Sequence, residues 1–365
     1  MTAELNQATK EYIGQCISTR YQELILLPTE KCNFRCTYCY EDFELGKMSR
    51  DTIDGIKNFI SQRVAAIDKL HLSWFGGEPL LAKEIVLEIA EHAFIEAQKN
   101  NVELSGGFTT NAYLLDQALF QRFVALKQNH YQISLDGWED VHDTTRKRAD
   151  GKGTFDVIWK NINTYKAVAG DFQVVFRIHI TDDNKESLKK LCLELGKRFN
   201  DDPRFTLNVQ DIRDLGGDGG KDIKRISQEE YLVTEALLSA IYYGEELSDV
   251  APNMASNEVR SESLSPLSET AGEGSTIKYI CYAARPNSIL IRSDGSIGKC
   301  TVLLGDTRNT LGKIAKDGSL DINNEKLKPW LKGFSNLSNK ALACPAPYLD
   351  EKFEQLERID IAQSI

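Results

Sequence analysis

The sequence predicts an α/β fold: six strand–helix units forming an open, partial parallel barrel, a partial (β/α)6 arrangement. Two observations predict it. Short apolar runs alternate with longer segments of helical spacing, six times between residues 23 and 245, and strands that alternate with helices of this length imply a parallel sheet. A cysteine-rich loop directly follows the first strand, at the end of a barrel strand where catalytic loops gather.

Taken in order, residues 1–22 are a short polar lead. Glu23-Leu24-Ile25-Leu26-Leu27-Pro28 is an apolar run stopped by proline, a first buried strand. Helical spacing runs from Arg50 to Ala66, Leu81 to Lys99, Leu115 to Lys127, Phe155 to Val168, Lys185 to Phe199 and Glu229 to Tyr243. Between these lie strands at Leu70–Phe75, Val102–Thr109, Tyr131–Leu135, Phe172–Ile180 and Phe205–Val209. Six units rather than eight leave the barrel open. The glycine-rich run at 216–220 reads as a loop, and residues 246–276, rich in Ser, Glu and Gly, as a linker. A second region spans 277–350, with Ser288–Arg292 and Ser296–Leu303 flanking Ser293-Asp294-Gly295 as a β-hairpin. Residues 351–365 form a tail.

The composition is that of a globular chain: 365 residues, 41% hydrophobic and 27% charged. A net charge of −10 argues against a nucleic-acid partner, which calls for a basic stripe. There is no apolar secretory segment and no run of membrane-spanning length, so a cytoplasmic protein without a membrane partner is expected. In that setting the eight cysteines are reduced ligands or free thiols rather than disulfides. Cys16 and Cys192 read as buried free thiols, and the five histidines as structural.

Chemistry concentrates in Thr29 to Asp42, T-E-K-C-N-F-R-C-T-Y-C-Y-E-D, where Cys32, Cys36 and Cys39 follow a C-x3-C-x2-C pattern. Three thiolates this close can hold three irons of a [4Fe–4S] cube and leave the fourth open. Zinc is the alternative, although structural zinc favours four closed ligands with paired C-x2-C spacing. Gly76-Gly77-Glu78-Pro79 follows a strand and reads either as a plain turn or as a backbone that passes close to a ligand. Thr109-Thr110-Asn111 closes the third strand, with a helix N-cap as its bland reading. Ser134-Leu135-Asp136-Gly137 closes the fourth, and Arg146 follows in H-D-T-T-R. Asp136 reads as structural. Asp211 and Asp214 follow the sixth strand, either as solvated loop acids or as a carboxylate that takes a proton from substrate. Cys281, Gly295 and Cys300 form C-x13-G-x4-C, and Cys344-Pro345 comes later.

These motifs together resemble the radical S-adenosylmethionine (SAM) superfamily, and S-L-D-G-W-E-D-V-H-D-T-T-R resembles its peptide-modifying members. The resemblance covers roughly residues 24–349 and implies a TIM-like partial barrel. It implies that Cys32, Cys36 and Cys39 hold a [4Fe–4S] cluster whose open iron chelates SAM. One electron then yields a 5′-deoxyadenosyl radical that abstracts hydrogen from a C–H bond. It further implies that Gly76, Gly77, Glu78 and Pro79 serve the SAM amino group and that Ser134 and Arg146 hold its carboxylate. Thr110 and Asn111 would lie beside the adenosine, with Tyr38 on the adenine edge. The C-terminal cysteines resemble the opening of the SPASM/twitch auxiliary-cluster region. A full SPASM region carries seven cysteines and two clusters; the three here, Cys281, Cys300 and Cys344, imply one auxiliary [4Fe–4S] cluster, with zinc or free thiols as the alternative.

The function this implies is modification of a ribosomally synthesised precursor peptide, by a cross-link or other side-chain change. The expected partners are that peptide, an electron donor such as flavodoxin or ferredoxin, and a separate leader-binding protein unless the barrel itself holds the leader. The last follows because a peptide-recognition domain of roughly 80 residues does not fit ahead of the cysteine loop. The rivals are formylglycine formation as in sulfatase maturation, a small-molecule enzyme with an open auxiliary cluster, and a zinc-bound scaffold.

Overall fold

The structure, a computed structural model, describes residues 6–212, 224–245, 277 and 279–350. The first half of the chain runs α1 (Gln7–Ile17), β1 (Tyr21–Leu26), β2 (Phe34–Cys36), α2 (Arg50–Arg63), β3 (Lys69–Trp74), α3 (Lys83–Asn100), β4 (Glu103–Thr110), α4 (Gln117–Ala125) and β5 (Gln128–Leu135). Then come α5 (Glu139–Thr145), β6 (Arg146–Arg148), α6 (Phe155–Tyr165), β7 (Gln173–Ile180), α7 (Lys185–Phe199), β8 (Phe205–Asp211) and α8 (Gln228–Tyr243). The C-terminal region adds β9 (Ser288–Ile291), β10 (Ser296–Gly298), β11 (Gly312–Ile314), β12 (Leu320–Ile322) and α9 (Asn324–Leu331).

The six predicted strands are present and parallel, in the order β1-β3-β4-β5-β7-β8. Alternation in each strand sorts its two faces. In β7, Val174, Phe176, Ile178 and Ile180 are buried, while Arg177 and His179 between them are partly exposed. The apolar face packs on the helices in one continuous core that includes Ile56, Ile60, Ile89, Phe120 and Leu191. Aromatic rings fill its centre, with Phe108 stacked 5.5 Å from Tyr131 and Phe120 4.1 Å from Tyr165. The opposite face is polar: Ser73 Oγ donates to Glu23 Oε1 over 3.0 Å, and His71 Nδ1 lies 2.7 Å from Ser105 Oγ. A polar inner face on an otherwise apolar sheet is where a ligand is accommodated.

The C-terminal region is joined to the barrel through the sheet. β9 pairs in parallel with β1, from Glu23↔Ser288 to Leu26↔Ile291, and β10, β11 and β12 extend the sheet to ten strands. The hairpin forms, but its second strand ends at Gly298 rather than Leu303. Asn309 draws the chain out of the sheet there: its Oδ1 accepts from the N–H groups of Lys299 and Cys300, and its Nδ2 donates to the Cys300 and Leu303 carbonyls. The helix expected to Ala66 becomes a 3-10 turn after Arg63, and the one expected to Val168 ends at Tyr165. The loop at 216–220, the linker at 246–276 and the tail at 351–365 lie outside the described residues. Cys16 and Cys192 are buried and free. Among the described residues no helix is long and apolar enough to cross a membrane.

One contact tests how α7 and α8 meet. A Cβ on Gly196 of α7 would lie 2.5 Å from the Tyr242 carbonyl oxygen, a backbone atom that cannot rotate away. A side chain there gains helix propensity of under about 1 kcal/mol, against about 1–3 kcal/mol for overpacking. Gly196→Val is expected to lower the urea unfolding midpoint, with a net loss of about 2 kcal/mol.

Candidate active site

The cysteine loop leaves β1 and returns as β2, which pairs antiparallel with β6 in the register Phe34↔Arg148, Arg35↔Lys147, Cys36↔Arg146. Phe34, 1% exposed, anchors this ribbon in the core. The pairing sets Cys36 directly opposite Arg146, and the Thr37 N–H donates to the Thr145 carbonyl over 2.9 Å. Cys32 Sγ accepts from the Phe34 N–H over 3.3 Å. The three thiols lie within electrostatic reach of one another. Burial pushes all three upward, Cys39 to about 11, and the Glu78 charge adds to the rise at Cys32. Such thiols stay protonated in the free protein, and a metal that takes them as thiolates displaces those protons.

Gly76 and Gly77 make the loop's position possible. Gly76 has φ +108°, and a Cβ there would lie 2.2 Å from the Thr29 carbonyl oxygen. On Gly77 it would lie 2.7 Å from the Lys31 carbonyl and 2.8 Å from that of Glu30. The close approach expected of these glycines is therefore made to the cysteine loop's own backbone. Glu78, 1% exposed, ties the turn to β4: Oε1 accepts from the Leu80 N–H and Thr110 Oγ1, and Oε2 from the Asn111 N–H over 2.8 Å. Burial raises its pKa against the pull of these bonds. Asn111 Nδ2 donates to Asn33 Oδ1 over 2.9 Å. The cysteine loop, Gly76 to buried Pro79 and Thr110-Asn111 are thus one hydrogen-bonded unit.

A buried charge network closes the other side. Asp136, 1% exposed, accepts from Tyr38 Oη (2.6 Å) and Thr145 Oγ1 (3.1 Å), and lies 3.0 Å from His179 Nδ1. Burial alone would raise its pKa; the Arg146 charge and the His179 bond outweigh burial and hold it well below the carboxylate range. Arg146 Nη1 donates to Tyr38 Oη over 2.5 Å and lies 4.0 Å from Asp136 Oδ2. Tyr38, expected on the adenine edge, thus has its hydroxyl fixed between Asp136 and Arg146. Behind it Arg177 Nε donates to His179 Nε2 over 3.0 Å, so Nδ1 of that ring carries the proton toward Asp136. His142 is buried and pushed down to about 4 by desolvation, so it stays neutral while its Nδ1 receives the Asp136 N–H. Arg146 Nε is buried without a partner. A guanidinium with an unused buried donor suits a carboxylate, so Arg146 is compatible with the SAM-carboxylate role that the resemblance implies for it. Ser134 is nine-tenths buried at the end of β5. Asp211 ends β8, half-buried and in register with Ile180, while Asp214 lies outside the described residues.

The second cysteine set also comes together. Cys281 feels the charges of Cys300 and Cys344, and Cys300 that of Cys344. Burial pushes Cys281 to about 11 and Cys300 upward. The Cys281 N–H donates to the Leu342 carbonyl over 2.8 Å, and the Val302 N–H lies 3.4 Å from Cys300 Sγ. Backbone donors are thus aimed at the Cys281 and Cys300 sulfurs, and such donors fit an iron–sulfur site. Among the described residues no three His, Cys, Asp or Glu side chains converge tightly enough to grip a single ion. Sequence reasoning missed Asn309, His179 and the pair Glu30–Arg292; only the Asn and Asp of a turn offered any local signal.

The Asp136 network carries a prediction. Asp136→Asn removes one partner of a buried charge pair and is expected to cost about 3–5 kcal/mol at neutral pH. Because the folded pKa is depressed, this stability is present above the unfolded value and lost as pH falls through the folded one. The gap between wild type and variant, measured by urea unfolding of the cluster-free proteins, should therefore begin to narrow below about pH 4 and keep narrowing as the solution is made more acid.

Residues 26–195 match the family model of the radical SAM superfamily. The cysteine-type anaerobic sulfatase-maturating enzyme of Clostridium perfringens is 22% identical over 287 residues, 76% of this chain and 73% of that one. Three other curated relatives are matched over 34%, 37% and 44% of their own length, so the match spans less than half of each. Among solved structures, anSMEcpe with bound AdoMet and Kp18Cys peptide has a TM-score of 0.61 at 20% identity, covering 85% of this chain and 84% of that one. Streptococcus suis SuiB bound to precursor peptide SuiA has a TM-score of 0.54 at 15% identity, covering 88% and 67%. At these identities the structural likeness speaks for the fold. The matched domain takes in the cysteine loop, the Gly-Gly-Glu turn and the buried arginine, so residues 26–195 form a radical SAM domain.

Proposed function

We propose that this radical SAM enzyme takes a hydrogen atom from a residue of a ribosomally synthesised precursor peptide and installs a cross-link or other side-chain modification. The observation that carries the reading is the second set of cysteines, Cys281, Cys300 and Cys344, brought together beside β9 and β10, strands of the sheet whose β1 leads into the Cys32–Cys39 loop. In this reading Cys32, Cys36 and Cys39 hold a [4Fe–4S] cluster, and residues 277–350 carry one auxiliary [4Fe–4S] cluster. With SAM bound, the first cluster supplies a 5′-deoxyadenosyl radical.

The chain's own residues bind and orient. Arg146, backed by Asp136 and Tyr38, offers its free Nε to the SAM carboxylate beside Ser134. The backbone of Gly76, Gly77 and Pro79, held by Glu78, shapes the amino-group end. Thr110 and Asn111 set the adenosine side. Asp211, with Asp214 as the second choice, would receive the proton lost when a substrate radical gives up its electron, for which the auxiliary cluster held by Cys281, Cys300 and Cys344 would be the acceptor. Flavodoxin or ferredoxin supplies the electron, a separate protein or the barrel itself holds the leader, and the reaction takes place in the cytoplasm. The solved structures of like fold that hold peptides, anSMEcpe and SuiB, support a peptide substrate.

A second reading, formylglycine formation on a Cys or Ser of a sulfatase, is favoured by the match along 73% of the Clostridium enzyme. The three C-terminal cysteines, where a full SPASM region has seven, count against it. Mass spectra of a sulfatase-motif peptide after turnover would decide: a formylglycine product supports this second reading and overturns the first.

Two measurements test the main reading. Anaerobic reconstitution should give about eight irons per chain, falling to about four in the Cys32/Cys36/Cys39 triple Ala variant, as two four-iron clusters require. Cys36→Ala should abolish 5′-deoxyadenosine formation, whereas Cys300→Ala should retain it without product. About four irons falling to none would leave the C-terminal cysteines as zinc ligands or structural thiols.

A further inference from the structure

We propose that Arg292 is a positioning residue that sets the auxiliary cysteine loop against the radical-cluster loop; this rests on the two-cluster reading above. Arg292 directly follows β9. Its Nε donates to Glu30 Oε1 over 3.0 Å and its Nη2 to Glu30 Oε2 over 2.6 Å, a two-pronged pair across 262 residues of sequence. Its Nη1 donates to the Leu304 carbonyl over 2.7 Å. Glu30 stands two residues before Cys32, and Leu304 four residues after Cys300. One guanidinium therefore spans both cysteine-bearing loops.

The surroundings leave this fork little freedom. The Glu30 side chain is 2% exposed and that of Arg292 16%. The Glu30 carbonyl is pressed against Gly77, and the Leu27 N–H donates to the Ile291 carbonyl over 3.0 Å. Tyr40, beside Cys39, feels the charges of both Cys39 and Cys300, so the two loops lie within electrostatic reach of each other.

Adhesion alone does not call for such a pair. Buried ion pairs are often no more stabilising than apolar residues of the same volume, and the apolar contact of Ile25, Leu27 and Leu290 already joins β1 to β9. A planar fork adds what apolar packing lacks, a fixed angle and spacing between its partners. Lysine, with one compact charge, keeps the attraction and loses the fork. The spacing between the two cysteine sites decides how readily an electron passes from a substrate radical to the auxiliary site, and Arg292 holds that spacing.

The test uses reconstituted holoprotein reduced with dithionite: wild type, Arg292→Ala, Arg292→Lys and Glu30→Gln. Iron content is measured first, then magnetic coupling between the two reduced clusters by electron paramagnetic resonance. Wild type should show one defined coupling. Arg292→Ala should keep the full iron complement and lose the defined coupling, and Arg292→Lys should restore it in part. Glu30→Gln, which keeps Arg292 and its Leu304 bond, should also spread the coupling; it decides the matter if Arg292→Ala loads iron poorly. Unchanged coupling in an iron-replete Arg292→Ala or Glu30→Gln protein overturns the proposal. About four irons in wild type, one cube's worth, would overturn the two-cluster reading itself, and the iron count separates that failure from the other.

Discussion

The backbone of Thr29–Lys31 lies in the notch left by Gly76 and Gly77, and the rest of the site hangs from that contact. The carbonyls of Thr29, Glu30 and Lys31 occupy the space where two Cβ atoms would stand, and the Glu78 N–H returns a bond to the Lys31 carbonyl over 3.1 Å. From there Glu78 reaches Thr110 and Asn111, and Asn111 reaches back to Asn33 beside Cys32. The circuit closes on itself, so Cys32 is held by groups from β1, β3 and β4 rather than by a free loop. Preorganisation of this kind is what a reactive centre requires of its scaffold.

The opposite wall is held by charge. Bringing Asp136 and Arg146 out of water is costly, and their separation of 4.0 Å does not by itself recover that cost. The intervening hydroxyl of Tyr38, together with Thr145 and His179, supplies the hydrogen bonds that make burial tolerable. Both Asp136 oxygens have hydrogen-bond partners, whereas Arg146 keeps Nε unused. The asymmetry has a direction: the acid is fully engaged, and the base retains capacity for one more anion.

The barrel was legible because short apolar runs recur between segments of helical spacing, and because buried and exposed residues alternate in β3 and β7. Val174, Phe176, Ile178 and Ile180 mark β7 as plainly in the sequence as in the sheet. The cysteines, the glycine pair and Arg146 were legible as residue types at fixed spacing. The ribbon of β2 and β6 was not, since three residues a side are shorter than any period can register. Its consequence, Cys36 facing Arg146, is a matter of register between segments more than a hundred residues apart. Glu30 and Arg292 looked like ordinary charges because nothing local distinguishes a buried fork from a solvated one. The hairpin at Ser288 was foreseen; its parallel seat on β1 was not, because a strand of four residues carries no sign of which edge it will join.

That seat changes what kind of appendage the C-terminal region is. A region tied only by a linker would move as a separate body. Here the parallel pairing of β9 with β1 makes the two regions share main-chain hydrogen bonds, and Ile25, Leu27 and Leu290 form a layer with Phe75, Tyr282 and Leu304 packed on it. Tyr282 follows Cys281 and Leu304 follows the Cys300 loop, so the residues that cover this layer also carry the second cysteine set. Displacing that set would mean breaking sheet bonds and exposing the layer together, since packed interfaces shift between discrete arrangements rather than bending continuously. The sheet therefore keeps the two cysteine sites on one body, and the Arg292 fork sets the angle and spacing between their loops.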